Sequence, residues 1–371
     1  MPVRVAVSLG DPSGIGPEVT ARALAGLRGR ISPLLFGDAS FARLARAAGL
    51  DLPVLAPGDP LPRGAARVRV TRLAAADRRP GRPSPAGGAA SLAYLESAFD
   101  ALSRGQAGAL CTAPLSKAQV ALSLPGFVGH TEWLEARGGG SRSVMMLAGR
   151  RLRVALVTNH LALRDAIRRL TPDGIAAVAG VASDGLRLDM GIARPRIAVA
   201  GLNPHAGEGG AFGDEESRIV APAIERARAA GVDVHGPFPP DSVFFRAAAG
   251  EFDAVVALYH DQGLIPVKLL DAVLRDPAVN VTLGLPFVRT SPDHGVAWDL
   301  AGTGRASDRS MRAALHLAAG IARRRAGVTR RHSPVASHRR EDGGAESGVP
   351  ASGGIRPAGP KAIRAMRRLR R

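Results

Sequence analysis

Residues 254–268, AVVALYHDQGLIPVK, decide how the rest of the chain is read. Ala254 to Leu258 is a short apolar run with the character of a buried strand. It breaks at Tyr259, His260, Asp261, Gln262 and Gly263, then resumes as Leu264 to Lys268. A histidine and an acid at the carboxyl end of a buried strand stand where open α/β sheets place their ligands. Taken alone, His260 is better read as a strand-end cap bonded to backbone. A functional reading needs partners elsewhere in the chain.

Working outward, strand and helix patterns alternate. Val3–Leu9 is expected as a strand, followed by the loop SLGDPSGIGPEV, where Pro17 and Glu18 suit the first turn of a helix. The glycines at 10, 14 and 16 would let backbone amides approach a phosphate or cofactor, although the spacing matches neither GxGxxG nor a P-loop. Further strands are expected at Pro33–Phe36, Ala109–Thr112, Leu152–Thr158 and Arg196–Leu202. Helices are expected at Phe41–Ala48, Ser91–Leu102, after the Thr171–Pro172 cap, at Asp214–Ala230, and near Ser307–Arg323. Residues 74–89 read as a loop. This alternation predicts an α/β fold with a largely parallel sheet.

A chain of 371 residues can bury a full core, and no apolar run is long enough to span a membrane. The strand pattern at the amino end leaves no signal peptide, and the single Cys111 excludes an internal disulfide, so a cytoplasmic protein is expected. The formal charge of +18 raises the question of nucleic acid. From Arg323 onward stand 14 Arg or Lys against 3 Asp or Glu, which places +11 there and leaves +7 on the body. The expected organisation is a body over 1–325 and a basic, disordered tail over 326–371. Nucleic acid is not an expected partner.

Three histidines share one context. His160 follows LRVALVT, His205 follows RIAVAGL, and His260 follows AVVAL; each closes an apolar strand and opens a polar loop. Because strand ends converge in α/β folds, three imidazoles there suit a catalytic divalent ion, most simply zinc. Lys268 and Arg289, read as lying on loops flanking the last strands, suit anion recognition, and Arg can do so bidentately. His130, Thr131 and Asn280 can hold hydroxyl or phosphate oxygens. Asp241 and Asp261 are candidates to orient a ligand histidine or to take a proton.

The motifs SLGDPSGIGPEV, VGHTEWL, VTNHLALRD, GLNPHAGEGGAFGDEE, GPFPPDSVF, YHDQGLIPVK and VNVTLGLPFVRTSPDHG resemble, in order from about residue 3 to 323, the 4-hydroxythreonine-4-phosphate dehydrogenase family. The resemblance implies a two-lobed α/β/α architecture similar to isocitrate and isopropylmalate dehydrogenases, with the active site in the cleft between lobes and at the interface of a homodimer. It implies NAD or NADP and one divalent metal ion, zinc, magnesium or cobalt, in oxidation of 4-phosphooxy-L-threonine for vitamin B6 synthesis. By the same resemblance His160, His205 and His260 are the metal ligands, with His260 supplied by the neighbouring subunit. His130, Thr131, Lys268, Asn280 and Arg289 match substrate-binding positions. His294, Gly295 and Asp299 in DHGVAWDLAGTGRASD look like cofactor contacts. The stretch LLDAVLRDPA looks longer than the family pattern and bears on which substrate is accepted.

Competing expectations are a dehydrogenase of threonate or erythronate 4-phosphate, a metal-dependent hydrolase, and a nucleic-acid binder acting through the tail.

Overall fold

The apolar runs predicted as strands are strands, and they assemble into one sheet. The computed structural model describes residues 2–332 apart from Arg28, Arg63, Gly140 and Ser141. The strands are β1 (Arg4–Ser8), β2 (Ser32–Asp38), β3 (Val54–Leu55), β4 (Ala66–Thr71), β5 (Ala109–Thr112) and β6 (Val144–Ala148). They continue as β7 (Arg153–Leu156), β8 (Ile197–Ala200), β9 (Val234–Phe238), β10 (Ala254–Ala257), β11 (Val279–Leu283) and β12 (Arg289–Pro292). Their order across the sheet is β3-β4-β2-β1-β5-β12-β11-β6-β7-β10-β8-β9.

From β3 to β12 every pairing is parallel, and so is every pairing from β7 to β9. Between these blocks, β11 and β6 are antiparallel to their neighbours, so the two blocks run in opposite directions. The expectation of a largely parallel sheet therefore holds except at its centre. Both faces are covered. Along β6, Val144, Met146 and Ala148 join one apolar cluster while Met145 and Leu147 join the other, as the strand period of two requires.

Four local expectations are corrected. Residues 85–89 are not loop: the helix Pro85–Ser103 starts early because the Ser84 side chain accepts from Gly87 N and Pro85 suits the first turn. The predicted helix over 214–230 opens with a π turn, Glu216–Val220, before the α-helix Ala221–Ala229. The last helix spans Arg309–His332, so it passes the boundary expected at 325. The remaining tail lies outside the described residues. Finally, His260 does not open a loop; it is the first residue of the helix His260–Leu274, which also absorbs most of LLDAVLRDPA.

That last helix start follows from two residues in the deciding stretch. Gln262 is buried and joins two strand ends: it accepts from Leu258 N at 2.7 Å and donates to Gly201 O at 2.7 Å. Gly263 lies so close to the sheet that a methyl there would sit 2.7 Å from Val154 Cγ1 and 2.8 Å from Leu156 Cδ2. Among the described residues no helix is long and apolar enough to cross a membrane.

Candidate active site

Strand register builds one end of the site. Asn280 on β11 stands opposite Ser291 on β12, and Arg289 lies two residues from Ser291, on the same face. Arg289 is only 3% exposed. It is a strand residue, not the loop cation expected. Its Nη1 donates to Thr282 Oγ1 at 3.0 Å and its Nη2 to Thr112 Oγ1 at 2.9 Å. No described carboxylate forms an ion pair with it. Burial pushes its pKa down to about 10.

These residues line a cavity of about 160 Å³ at the centre of the sheet, where strand direction reverses. His130 and Thr131 reach it from the start of the helix His130–Arg137, and Asn159 and His160 from the end of β7. His294 and Gly295 reach it from beyond β12. Five buried polar atoms in its wall have no hydrogen-bond partner among the described residues: His130 Nε2, Asn159 Oδ1, Asn280 Oδ1, Arg289 Nε and His294 Nε2. Buried polar groups are normally satisfied, so a cluster of orphans around one space marks a place for a polar ligand. Burial, then the charges of Arg289 and Lys117, hold the His130 imidazole well below its usual pKa.

The histidines meet only in part. His160, His205 and His260 follow the neighbouring strands β7, β8 and β10, as strand ends predicted. The rings of His160 and His260 lie 5.5 Å apart between centroids. His260 Nδ1 bonds Asp261 Oδ1 at 2.7 Å. His205 stands apart in the chain, 6.2 Å from the Phe212 ring, on a left-handed turn. Among the described residues no three His, Cys, Asp or Glu gather closely enough to hold a metal ion. Within one chain it is thus His205, not His260, that stands outside the pair.

Other expected positions fall elsewhere. Lys268 lies within a helix, tied to Asp293 Oδ2 at 2.9 Å and Asp293 O at 2.7 Å. Asp241 and Asp299 are exposed and do not line the cavity. In the glycine-rich loop, Asp11 accepts from Ser13 and from Trp298 Nε1, and a methyl at Gly10 would meet Pro114 O at 2.1 Å. Gly10 there serves close backbone packing. Sequence reasoning missed Thr112, Lys117, Glu132, Asn159 and Ser291; the last three stand within motifs already singled out, whereas Thr112 ends the strand expected at 109–112 and Lys117 follows it.

A doubly covered α/β sheet holds a cavity of unpartnered polar groups at its antiparallel centre, and the curated relatives that match the chain are named as dehydrogenases, so the chain is an oxidoreductase. A family model described as "Pyridoxal phosphate biosynthetic protein PdxA" matches residues 30–318, and the chain belongs to that family. A 4-hydroxythreonine-4-phosphate dehydrogenase of Desulfosudis oleivorans is 46% identical over 322 residues, 85% of this chain and 94% of the relative. A protein of Bradyrhizobium diazoefficiens, provisionally named a D-threonate 4-phosphate dehydrogenase, is 41% identical over 86% of this chain and 96% of its own. The crystal structure of 4-hydroxythreonine-4-phosphate dehydrogenase from Klebsiella pneumoniae superposes with a TM-score of 0.73 at 40% identity, covering 87% of this chain and 98% of that one.

Proposed function

We propose that this chain oxidises the C3 hydroxyl of 4-phosphooxy-L-threonine with NAD or NADP and a divalent metal ion. The product, 2-amino-3-oxo-4-(phosphooxy)butanoate, loses CO2 to give 3-amino-2-oxopropyl phosphate, a step in pyridoxal 5'-phosphate synthesis. The observation that carries this reading is Arg289: a buried cation held by two neutral hydroxyls, beside four other orphaned polar side chains, asks for an anionic ligand. A phosphate ester supplies one, and His130, Thr131 and Asn280 offer further contacts to it.

The histidines fit a divalent ion in two respects. His160 and His260 are adjacent, and with the Nδ1 proton of His260 directed to Asp261 its Nε2 lone pair is free. His205 is the third ligand, brought to the pair in a homodimer that shares the site. Ile265, Leu269 and Val273, 66%, 60% and 68% exposed on one face of the helix His260–Leu274, support such association. A bound ion would stabilise the alkoxide that develops on the substrate, and the nicotinamide would accept the hydride. His294 and Gly295 serve the cofactor side of the cavity.

The second reading, oxidation of D-threonate 4-phosphate, is favoured by the Bradyrhizobium relative and uses the same side chains. Absorbance of reduced nicotinamide decides between them, with purified protein, NAD, a divalent metal and each substrate in parallel. A metal-dependent rise with the amino substrate alone supports the first reading. A rise with the acid alone replaces it with the second. No rise with either removes both. Substituting His205 with Ala should remove bound metal and activity together.

A further inference from the structure

Lysine stands at only three positions in this chain, 117, 268 and 361, whereas arginine supplies the other 47 of its 50 basic side chains. Almost everywhere that it places a positive charge, this sequence uses arginine. A lysine kept in a functional cavity therefore points to chemistry that a guanidinium cannot perform. Lys361 lies outside the described residues, and Lys268 is engaged by Asp293. Lys117 lines the cavity, and among the described residues its side chain has no hydrogen bond or ion pair.

Its placement is built. Lys117 opens the helix Lys117–Ser123 directly after β5, with the Ser116 side chain accepting from Gln119 N. A methyl at Gly129 would lie 3.0 Å from Lys117 Cε, 3.3 Å from its Nζ and 2.9 Å from Glu132 Oε2. Only a bare glycine leaves both side chains this space beside His130, and still the two opposite charges do not pair. The ammonium is felt both by His130, next to Arg289, and by His160, next to His260. It lines the same cavity as Arg289 and His160, where the reacting carbons of a phosphorylated hydroxy acid would lie.

We infer that Lys117 is the catalytic proton-transfer residue of the oxidation proposed above, on which this assignment rests. Its amine takes the proton of the C3 hydroxyl: the O–H bond breaks and an N–H bond forms while C3 is oxidised and hydride reduces the nicotinamide. After the C1–C2 bond breaks and CO2 leaves, the electron pair rests on the C2–C3 enolate. Lys117 then returns its proton to C2, so the lysine is regenerated and no proton is gained or lost overall. Arginine cannot take this part, because its guanidinium stays protonated near neutral pH.

The test compares wild-type, K117R and K117A proteins with 4-phosphooxy-L-threonine, a divalent metal and NAD, with methylamine added to K117A. We expect K117R and K117A to lose kcat by at least about 100-fold while KM moves by less than about threefold. Methylamine should restore K117A in proportion to its free base. K117R within about fivefold of wild-type kcat would overturn the assignment, because charge alone would then suffice. So would a K117A defect confined to KM and untouched by methylamine. Failure of the underlying reading shows in the wild-type protein, which would then leave NAD unreduced; failure of the lysine assignment shows only in the variants.

Discussion

The hydroxyl of Thr112 accepts the Nη2 proton of Arg289 at 2.9 Å, so a strand-end threonine, not a carboxylate, is the nearest hydrogen-bond partner of a buried cation. A desolvated charge with only neutral partners is poor for stability and good for capturing an anion. Replacing Arg289 with Met should lower kcat/KM at least about 100-fold, while stability stays level or rises by about 1 kcal/mol. Steady-state kinetics beside urea unfolding checks this. Strong destabilisation with substrate binding intact would mean that Arg289 is a structural cation.

His130 gives a dependence on pH. Burial and the charges of Arg289 and Lys117 hold its imidazole below the usual 6.5. Below pH 6.5 the unfolded chain protonates this ring while the folded chain resists, so stability is lost as pH falls from there toward the depressed native value. In H130Q, ΔG of unfolding should fall less steeply with acid, by up to about 1.4 kcal/mol per pH unit. Urea titrations at several values across that window measure the two slopes, and parallel slopes would contradict the assignment.

Asp261 is 75% exposed on its side chain yet lies 2.7 Å from His260 Nδ1. Its value to folding is therefore small, and its value to a bound ion comes from fixing which nitrogen of His260 is free. Asp261→Asn should change stability by less than about 0.5 kcal/mol and weaken zinc binding about 10- to 100-fold. Competition with a chromogenic chelator reads the second number. Unchanged zinc affinity would remove Asp261 from the metal's surroundings.

Strands β1, β2, β5, β7, β8 and β10 were legible because apolar runs, caps and strand-end histidines are local signals, whereas β3, β4, β6, β9, β11 and β12 were not read as strands. The deciding stretch located β10 and its histidine correctly, yet Gly263 and Gln262 act through contacts with β7 and β8, which no local pattern records. The antiparallel centre, and with it the burial of Arg289, depends on β11 entering between β12 and β6. For the same reason Asn159 and Ser291 join the cavity, while Lys268 turns to Asp293 and Asp241 stays outside. Long-range pairing chose among the candidates that local patterns supplied.

The turn bearing His205 has φ values of 52° at His205, 56° at Ala206 and 41° at Glu208, a left-handed run that costs roughly 1–2 kcal/mol for each non-glycine residue. Glu216 offsets that cost. Its carboxylate, 6% exposed, accepts from Leu202 N at 2.8 Å, Asn203 N at 2.7 Å and Asn203 Nδ2 at 2.9 Å. A methyl at Gly207 would stand 2.7 Å from Glu216 Oε2, so the turn folds down onto this acid. Glu216→Ala should leave those donors unsatisfied and destabilise the protein by about 2–4 kcal/mol. Amide exchange should then quicken around residues 202–210 while β10 stays protected, and zinc affinity should fall with the loss of a fixed His205. Exchange unchanged in that turn would show that the left-handed conformation is held by something other than Glu216.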